Sequence, residues 1–459
     1  MTMWQPHLED FPGPRYKAIA DAIARAISDG ELQAGERLPT HRELAERLGV
    51  TVGTVTRAYA EAEARGLTSG TVGRGTFVRE RRLQAPAMIT PPAPGLIDLS
   101  VNRPALAYQA PELSQVLGAI AGSLDLSSLL DYAPDTGLAR HRDAGAQFLG
   151  MLGVDYAPEQ VVISCGAQHA LLTVLTALTE PGDVLLVEAL AYPGLLAVAN
   201  QARLQVVPVA MDADGLLPEA LREAARTHRP RLLACVPTLH NPTTAVLPAA
   251  RRAEIAEIAR EYDFLLLDDD VYGFAVPDRP PALSTYAPER SCYVTCTSKA
   301  LVPGLRIGYI GTPAAYTARI SAAVRTSVWM APPLMAEIAA RWIEDGTAQR
   351  LMDWQRGEAG ARQALAAQML AGFPHQAQPQ GFHLWLPLPE PWRESEFVAA
   401  ARARGVAVAP ADLFAVQRGA APPALRLCVS APPTIEVLRA GLSVVAELLA
   451  QPPGAPLLF

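Results

Sequence analysis

Charged side chains follow apolar runs in the second half of the chain, at positions that suit chemistry. The run FLLLDDD ends in Asp268, Asp269 and Asp270, CYVTCT is followed by Lys299, and Arg306 comes seven residues after that lysine. A charged triplet at the end of a buried strand is often only the exit of the strand to solvent, and a lone lysine there is more ordinary still. A shared chemical role for these residues is therefore indicated only if polar groups also follow other apolar runs.

Such groups occur after two other apolar runs. SCGAQHALL places Gly166, Ala167 and Gln168 between a strand and a helix, where free backbone N–H groups and the helix dipole favour a phosphate. HNPTT places Asn241 after LLACVP, although a proline turn alone would also explain it.

Taken together, these groups suit pyridoxal 5′-phosphate. Lys299 can form a Schiff base with this cofactor, Asp269 can keep its pyridine nitrogen protonated, and the Arg306 guanidinium can clamp its phosphate. Hydrogen bonds to the phenolic oxygen and a stacked aromatic ring can come from Asn241, Tyr272 and Tyr192.

The surrounding pattern predicts the sheet that would position them. From about residue 97, apolar runs alternate with helical segments: VVIS, DVLLVE, LQVVPV, LLACVP, FLLLDD, CYVTCT and RIGYIG. Continuous apolar runs of this kind are typical of a mainly parallel α/β sheet covered on both faces. Ligands of such sheets bind beyond the carboxyl ends of the strands, where the polar groups lie.

Seven motifs in this order resemble the fold-type I aminotransferases of the aspartate aminotransferase class, over residues 97–459. They are YAPDTG, SCGAQ, EALAYPG, HNPTT, DDDVY, TSKALVPGLRIGY and LRLCVS. The resemblance implies that Lys299 forms the aldimine and that Asp269 contacts the pyridine nitrogen. It also implies cofactor contacts from Gly166, Ala167, Gln168, Tyr192, Asn241, Tyr272, Ser298 and Arg306. Tyr132 would reach the phosphate of a neighbouring subunit, and Arg426 would receive the carboxylate of an effector.

Three places depart from the pattern of that family, and one of them is GLARHR, which lacks the common Leu-Arg placement after its glycine. Cys296 stands where a phosphate-binding Ser or Thr is usual, so one hydrogen bond is either absent or replaced by Ser298. Thr244 replaces the usual glycine after NPT. These departures weigh against efficient transamination more than against cofactor binding.

The first 80 residues show a different pattern. Ile19, Ile23 and Ile27 recur every four residues, which predicts one apolar face of a helix that ends near Gly30. Thr40 with Glu43 three residues later predicts a capping box at the start of HRELAERLGV, with Leu44 and Leu48 facing inward.

A third helix is expected after Gly49, capped by Thr51 and running to about Arg65, with an apolar face of Val52, Val55 and Tyr59. Two helices joined by a tight turn predict a helix-turn-helix, and the alternation in GLTSGTVGRGTFV predicts a two-stranded wing.

Residues 12–78 resemble the winged helix-turn-helix of GntR-type regulators. The resemblance implies DNA contacts from Arg42, Thr51, Thr54, Arg57, Arg74 and Gly75, with the last two approaching the minor groove. Val52 lies where GntR members often carry a base-reading arginine, so a contact with a thymine methyl group is expected instead. The alternative is that Arg42 and Arg57 are only solvated helix charges.

Composition limits the function classes. The net charge of −7 argues against a chain covered by nucleic acid, yet residues 42–82 contain eight arginines and five acidic residues. The five cysteines are scattered without metal-ligand spacing, which indicates buried free thiols and no metal site. The sequence has no signal-peptide pattern and no apolar run of the roughly 18 residues that span a bilayer, so a cytoplasmic protein is expected.

The predicted organisation is a multidomain α/β protein. A winged helix-turn-helix at residues 1–82 is followed by a proline-rich linker at 83–96 and an aminotransferase-like domain at 97–459. This order resembles the MocR subfamily of bacterial regulators, which implies a head-to-tail homodimer that binds operator DNA and responds to a small amino compound.

Three functions remain open at this point. The leading one is a transcriptional regulator that senses an amino compound, or pyridoxal phosphate itself, through an aldimine at Lys299. The second is an active aminotransferase with an accessory DNA-binding domain. The third is a DNA-binding protein whose large domain serves only for dimerisation.

Overall fold

The computed structural model describes Trp4, Pro6, Leu8 and residues 11–451, except 12, 29, 34, 65–66, 72–74, 79–94, 107, 124–125 and 418. The described residues form two compact units, one within Met1–Ala87 and Ala411–Pro422, the other within Met88–Pro410 and Pro423–Phe459. The predicted domain ranges stay a prediction, and the predicted linker lies outside the described residues apart from 95–96. In the part of the chain that is described, no helix is long and apolar enough to cross a membrane.

The first unit contains three helices followed by an antiparallel hairpin. Its elements are α1 (Arg15–Ser28), α2 (His41–Leu48), α3 (Val52–Ala64), β1 (Thr68–Thr71) and β2 (Gly75–Val78). Helix α2 begins at the predicted capping box, in which Thr40 and Glu43 bond to each other's backbone N–H. It ends at Gly49, whose φ of 62° is the left-handed conformation that glycine adopts without strain.

The core of the first unit confirms the predicted inward faces of α1 and α2, because Ile19, Ile23 and Leu44 are fully buried. The predicted apolar face of α3 is wrong for Val52, which is 45% exposed. The buried residues of α3 are Val55, Ala58, Tyr59 and Ala62. At 100° per residue these four centre the buried face roughly 70° from Val52, which therefore lies at its edge in the first turn.

The second unit alternates helices and strands. Its helices are α4 (Gln109–Ala121), α5 (Ser127–Leu130), α6 (Ala139–Met151), α7 (Ala167–Leu178), α8 (Pro193–Gln201), α9 (Pro218–His228), α10 (Ala249–Glu261), α11 (Thr297–Ala300), α12 (Ala314–Val328), α13 (Pro333–Glu344), α14 (Thr347–Met369), α15 (Glu394–Ala403) and α16 (Ile435–Leu449). Its strands are β3 (Ile97–Asp98), β4 (Val161–Ser164), β5 (Val184–Glu188), β6 (Gln205–Val209), β7 (Met211–Asp212), β8 (Gly215–Leu216), β9 (Leu232–Cys235), β10 (Leu265–Asp269), β11 (Ser291–Cys296), β12 (Gly308–Gly311), β13 (Gln376–Ala377), β14 (His383–Pro387), β15 (Val406–Ala407), β16 (Ala409–Pro410) and β17 (Ala424–Cys428).

The main sheet has seven strands in the order β4-β12-β11-β10-β9-β5-β6. These are the seven apolar runs singled out in the sequence. Strand β12 runs antiparallel to both of its neighbours, and the other pairs in the sheet are parallel. Every residue of β4, β9, β10, β11 and β12 is buried, as expected for a sheet covered on both faces. The prediction of a mainly parallel sheet is confirmed.

Smaller sheets complete the second unit. An antiparallel sheet has the order β13-β14-β17-β16, β15 pairs in parallel with β3, and β7 pairs with β8. In the antiparallel sheet His383 lies opposite Cys428 and Trp385 opposite Arg426, so these four side chains share one face. The alternate residues Leu384, Leu386, Leu425 and Leu427 belong to a hydrophobic core on the other face.

Candidate functional site

The carboxyl ends of five strands of the main sheet meet at one edge and carry the predicted site residues. Gly166 follows β4, Tyr192 follows β5, Asn241 follows β9, Asp269 ends β10 and Lys299 follows β11. Parallel strands bring such positions together although they are far apart in the sequence. The sheet therefore explains why one edge can assemble groups from most of the domain.

Lys299 lies in the short helix α11 with its ammonium group turned toward the segment before α4. Its Nζ donates to the backbone oxygen of Asn102 and lies 6.0 Å from the centroid of the Tyr272 ring. Burial lowers the pKa of Lys299 to about 8, and the positive charges of Arg426 and Arg306 act in the same direction. This lysine can therefore lose its proton far more readily than a solvated one.

Asp269 is a buried carboxyl at the end of β10. Its Oδ1 has no hydrogen-bond partner among the described residues. Burial, followed by the nearby carboxylates of Asp270 and Asp268, raises the pKa of Asp269 to about 7. Such a group is suited to accept a hydrogen bond from a cationic donor, because a positive partner would offset both effects.

Gly166, Ser298 and Arg306 form a cradle at the start of α7. Arg306 Nη1 donates to Ser298 Oγ over 3.1 Å, and Nη2 donates to the Cys165 oxygen over 3.3 Å. Gly166 has φ of 84°, and a Cβ there would lie 2.6 Å from Arg306 Nη2. The positive φ favours glycine at position 166, and a side chain there would displace the Arg306 guanidinium from the cradle.

The two residues after Gly166 open α7 at the same end. Ala167 is its first residue, and Gln168 lies in its first turn. The Gln168 side chain donates from Nε2 to the Gly194 oxygen over 2.9 Å, so it ties α7 to the first turn of α8, which Tyr192 precedes. Burial raises the pKa of Tyr192 to about 12, with the Asp269 carboxylate adding to the effect.

Arg426 and Asn241 are joined directly. Arg426 Nη1 donates to Asn241 Oδ1 over 2.7 Å, and Nη2 donates to the Ser100 oxygen. Arg252 hydrogen-bonds to the chain before and after Asn241. It donates to Pro237 O over 2.8 Å and to Leu247 O over 2.9 Å. A fully buried guanidinium that bonds to carbonyl oxygens on both sides of the Asn241 loop fixes its conformation.

Tyr272 is buried between aromatic rings beside Lys299. Its ring centroid lies 6.1 Å from that of Phe382 and 5.8 Å from that of His383. Burial raises the pKa of Tyr272 well above its usual value, so the hydroxyl is kept as a hydrogen-bond donor.

The sequence interpretation missed three residues at the site. They contribute the backbone oxygen of Ser100, the backbone oxygen and side-chain amide of Asn102, and the ring of His383. Asn102 Nδ2 lies 3.0 Å from His383 Nδ1, and these residues are 281 positions apart. No motif or periodicity connects them. Only the antiparallel sheet that contains β14, together with the contact between Lys299 and Asn102, brings them to the site.

Tyr132 is not brought to this cluster by its own chain. It is 77% exposed, and its ring centroid lies 5.8 Å from that of Trp329. Cys296 is buried, as predicted, and occupies the N-cap position of α11 without a side-chain hydrogen bond to that helix. Thr244 has φ of 65°, the left-handed region that a β-branched residue rarely adopts and that glycine accepts without strain. Cys165 is half-buried, whereas the other four cysteines are buried.

In the first unit, the described residues with predicted DNA contacts lie at the surface around the starts of α2 and α3. Arg42 and Arg57 are exposed. Thr51 Oγ1 accepts from the Thr54 backbone N–H over 3.1 Å and lies 2.9 Å from Thr54 Oγ1, so Thr51 caps α3 as predicted. The Arg57 guanidinium carbon lies 4.3 Å from the centroid of the Tyr16 ring, a cation–π contact that orients it.

The wing contains the remaining predicted contacts. Gly75 begins β2 with φ of 110°, and a Cβ there would lie 2.8 Å from Arg37 Nε. The positive φ of Gly75 is one that glycine adopts without strain, and the residue is partly exposed. Arg74 lies outside the described residues.

The second unit fits pyridoxal 5′-phosphate on two observations. Asp269 offers a buried acceptor without a partner in the described part of the chain, which suits a protonated pyridine nitrogen. Gly166, Ser298 and Arg306 leave a cradle at a helix N-terminus, which suits a phosphate.

Comparisons with known proteins agree with both units. Residues 94–445 match the family of aminotransferase class I and II, and residues 15–78 match the gntR family of bacterial regulatory proteins. The chain is 31% identical to the HTH-type transcriptional regulator YdeF of Bacillus subtilis over 97% of this chain and 96% of that protein. It is 28% identical to the HTH-type transcriptional regulator TauR of Rhodobacter capsulatus, over 86% and 88% of the two chains. The kynurenine aminotransferase of Pyrococcus horikoshii superposes with a TM-score of 0.71 at 23% identity, covering 78% of this chain and 91% of that one, which shows a common fold.

The chain therefore belongs to the aminotransferase class I and II family, with a GntR-type domain ahead of it. This is the architecture of the MocR-type regulators, and the predicted fold class and resemblance are confirmed. The cofactor predicted from the residues, pyridoxal 5′-phosphate, is confirmed as the cofactor of this family and fold. The roles assigned to individual site residues stay a prediction.

Proposed function

We propose that this protein is a DNA-binding transcriptional regulator whose aminotransferase-like domain holds pyridoxal 5′-phosphate at Lys299 and senses an amino compound there. The observation that carries the proposal is the partly buried Lys299, with a lowered pKa, at the sheet edge that also carries Asp269 and the Arg306 cradle. The same chain begins with a GntR-type domain.

Each side chain of the site has one task in this proposal. Lys299 carries the cofactor covalently, Asp269 pairs with its ring nitrogen, and Arg306 with Ser298 holds its phosphate. When bound, pyridoxal phosphate supplies an aldehyde that captures amines and a ring that withdraws electrons. Asn241 and Tyr272 would donate to the ring oxygen, and Tyr192 would stack on the ring.

Arg426 is proposed to receive the carboxylate of the effector. Its guanidinium is held in place by Asn241 and by the Ser100 oxygen, so its fork is oriented before a ligand arrives. A planar guanidinium binds a carboxylate through two parallel hydrogen bonds, which favours amino acids and related amino carboxylates.

The first unit is proposed to bind operator DNA through Arg42, Thr51, Thr54 and Arg57, with Arg74 and Gly75 at the wing. The exposure of Arg42 and Arg57 and the threonine cap of α3 support this assignment. The exposed Val52 suits an apolar contact with a thymine methyl group. A protein that reads operator DNA acts where that DNA is, which agrees with the predicted cytoplasmic location.

A head-to-tail homodimer is proposed to couple the two activities. Leu130 and Tyr132 are 86% and 77% exposed, and Trp329 beside Tyr132 is 56% exposed, so an apolar surface is available for a second copy. Tyr132 would then reach the phosphate site of the partner. Binding of the effector regulates DNA binding only if it has different affinities for two states of this dimer.

An active aminotransferase is the second candidate. The observation in its favour concerns four residues that such an enzyme requires. Lys299, Asp269 and Tyr272 lie at the same edge of the main sheet, and Arg426 of the antiparallel sheet bonds to Asn241 at that edge. Formation of a keto acid from common amino donors at enzymatic rates, with unchanged operator binding, would favour this candidate.

The direct test of the proposal is an absorbance screen of the cofactor-loaded protein against amino compounds, with operator binding followed in parallel. We expect at least one compound to change both the cofactor spectrum and the affinity for DNA. A protein that never acquires a cofactor band would support a purely dimerising role for the large domain and contradict the proposal.

A further inference from the structure

The segment before α4 contributes an asparagine side chain to the site. The Asn102 backbone oxygen accepts from Lys299 Nζ, and two residues earlier the Ser100 oxygen accepts from Arg426. Residues 100–102 therefore contact both the lysine and the arginine that the proposed function assigns to the amino and carboxylate groups of an effector.

The contacts of His383 fix the orientation of the Asn102 carboxamide. His383 Nε2 lies 3.1 Å from the His240 backbone oxygen, which can only accept, so Nε2 carries the hydrogen. Burial, followed by the positive charge of Arg426, lowers the pKa of His383 to about 3, and its ring is neutral. Its Nδ1 is then an acceptor, which the Asn102 amide nitrogen satisfies over 3.0 Å.

With its nitrogen committed to His383, the carboxamide of Asn102 has one remaining group. Asn102 Oδ1 is buried and has no hydrogen-bond partner in the described part of the chain. A carboxamide oxygen is an acceptor only, so the group that completes it must be a donor. Because the backbone oxygen of the same residue contacts Lys299 Nζ, a donor on the first carbons of an effector side chain is the nearest candidate.

We propose that Asn102 Oδ1 accepts a hydrogen bond from a hydroxyl on the β- or γ-carbon of the effector, so that the site prefers hydroxylated amino acids to their apolar isosteres. This inference rests on the proposed function of the same site. A hydroxyl is favoured over a second ammonium because Arg306 and Arg426 already make the surroundings positive. An apolar isostere would leave the buried oxygen without a partner, which disfavours its binding.

The test compares matched ligands by titration of the cofactor absorbance. L-threonine against L-valine places the hydroxyl on the β-carbon, and L-homoserine against L-norvaline places it on the γ-carbon. In the wild-type protein we expect at least one pair to differ in Kd by roughly tenfold or more in favour of the hydroxyl compound. Asn102→Leu should remove this difference, and Asn200→Leu, the same exchange at an exposed helix end, should keep it.

The outcomes separate this inference from the function on which it rests. Equal affinities within both pairs in the wild-type protein, or a preference that survives Asn102→Leu, would overturn the inference alone. If no amino acid changes the spectrum of the loaded protein, both the sensing function and the inference fail. Should Asn102→Leu lose the cofactor, Asn102→Ala removes the carboxamide without added bulk, and a preference retained there would equally overturn the inference.

Discussion

The two candidate sites of this chain differ in their relation to solvent. In the first unit, Arg42 and Arg57 are exposed at the surface of helices α2 and α3. In the second unit, Asp269 is buried and Lys299 partly so, and burial itself shifts the pKa of each. Exposed charges are screened by water and salt, whereas buried ones are screened much less. A single change should therefore weaken the first site gradually and disable the second.

The two sites should differ most when Lys299 is replaced, and this substitution is expected to have the largest effect on cofactor binding. Lys299→Ala should abolish covalent cofactor attachment, because residues 88–459 contain no other lysine, while the DNA-binding unit keeps its fold. The chain has only one other lysine, Lys17, which is exposed in α1 and provides the matched control. Borohydride reduction followed by peptide mapping should find the cofactor on residue 299 in both the wild-type protein and Lys17→Ala. Modification of Lys17 instead would contradict the assignment.

Burial of Lys299 also predicts a pH dependence. The neutral amine is the reactive form, and the pKa is lowered from 10.5 to about 8. The rate of cofactor attachment should rise with pH, by about 50-fold between pH 6 and 8 and by no more than about twofold above that. Stopped-flow absorbance measures this rate. A rate that continues to climb toward pH 10 would indicate an ordinary solvated lysine.

Asp269→Asn tests the buried carboxylate. Removing the charge while keeping the shape should weaken cofactor binding by about 1.5–3 kcal/mol, because a hydrogen bond to a charged group is lost. Equilibrium dialysis of the cofactor, with the exposed Asp155→Asn as control, gives the two affinities. Equal affinities for Asp269→Asn and the wild-type protein would remove Asp269 from the site.

Arg57→Ala should have the smallest effect of the four changes considered, which are three substitutions and the change of pH. We expect operator affinity to fall roughly tenfold and the salt dependence of binding to decrease by about one phosphate contact. Cofactor binding should be unchanged. Arg319→Ala removes the same charge from an exposed helix of the second unit and should leave DNA affinity unaltered. Gel-shift titrations at several salt concentrations measure the operator affinity of both variants. Equal affinities and equal salt dependence for Arg57→Ala and Arg319→Ala would contradict the assignment.

The same contrast explains what could be predicted from the sequence. Local signals were sufficient for the capping box at Thr40, for all seven strands of the main sheet, and for the placement of Asp269 and Lys299 at or just beyond the ends of two of those strands. The position of Val52 was mistaken because apolar spacing alone did not locate the centre of the buried face. Asn102 and His383 could not be predicted, because their contact depends on how two distant segments pack.

The central claim is that an amino compound at Lys299 changes the affinity of the protein for DNA. The most direct test measures operator affinity of the cofactor-loaded protein, on a DNA fragment selected from a random pool, with and without the amino compound that gives the largest spectral change. We expect a change of at least about fivefold in the wild-type protein and none in Lys299→Ala. An operator affinity that is the same with and without the compound, or an equal change in Lys299→Ala, would contradict the claim.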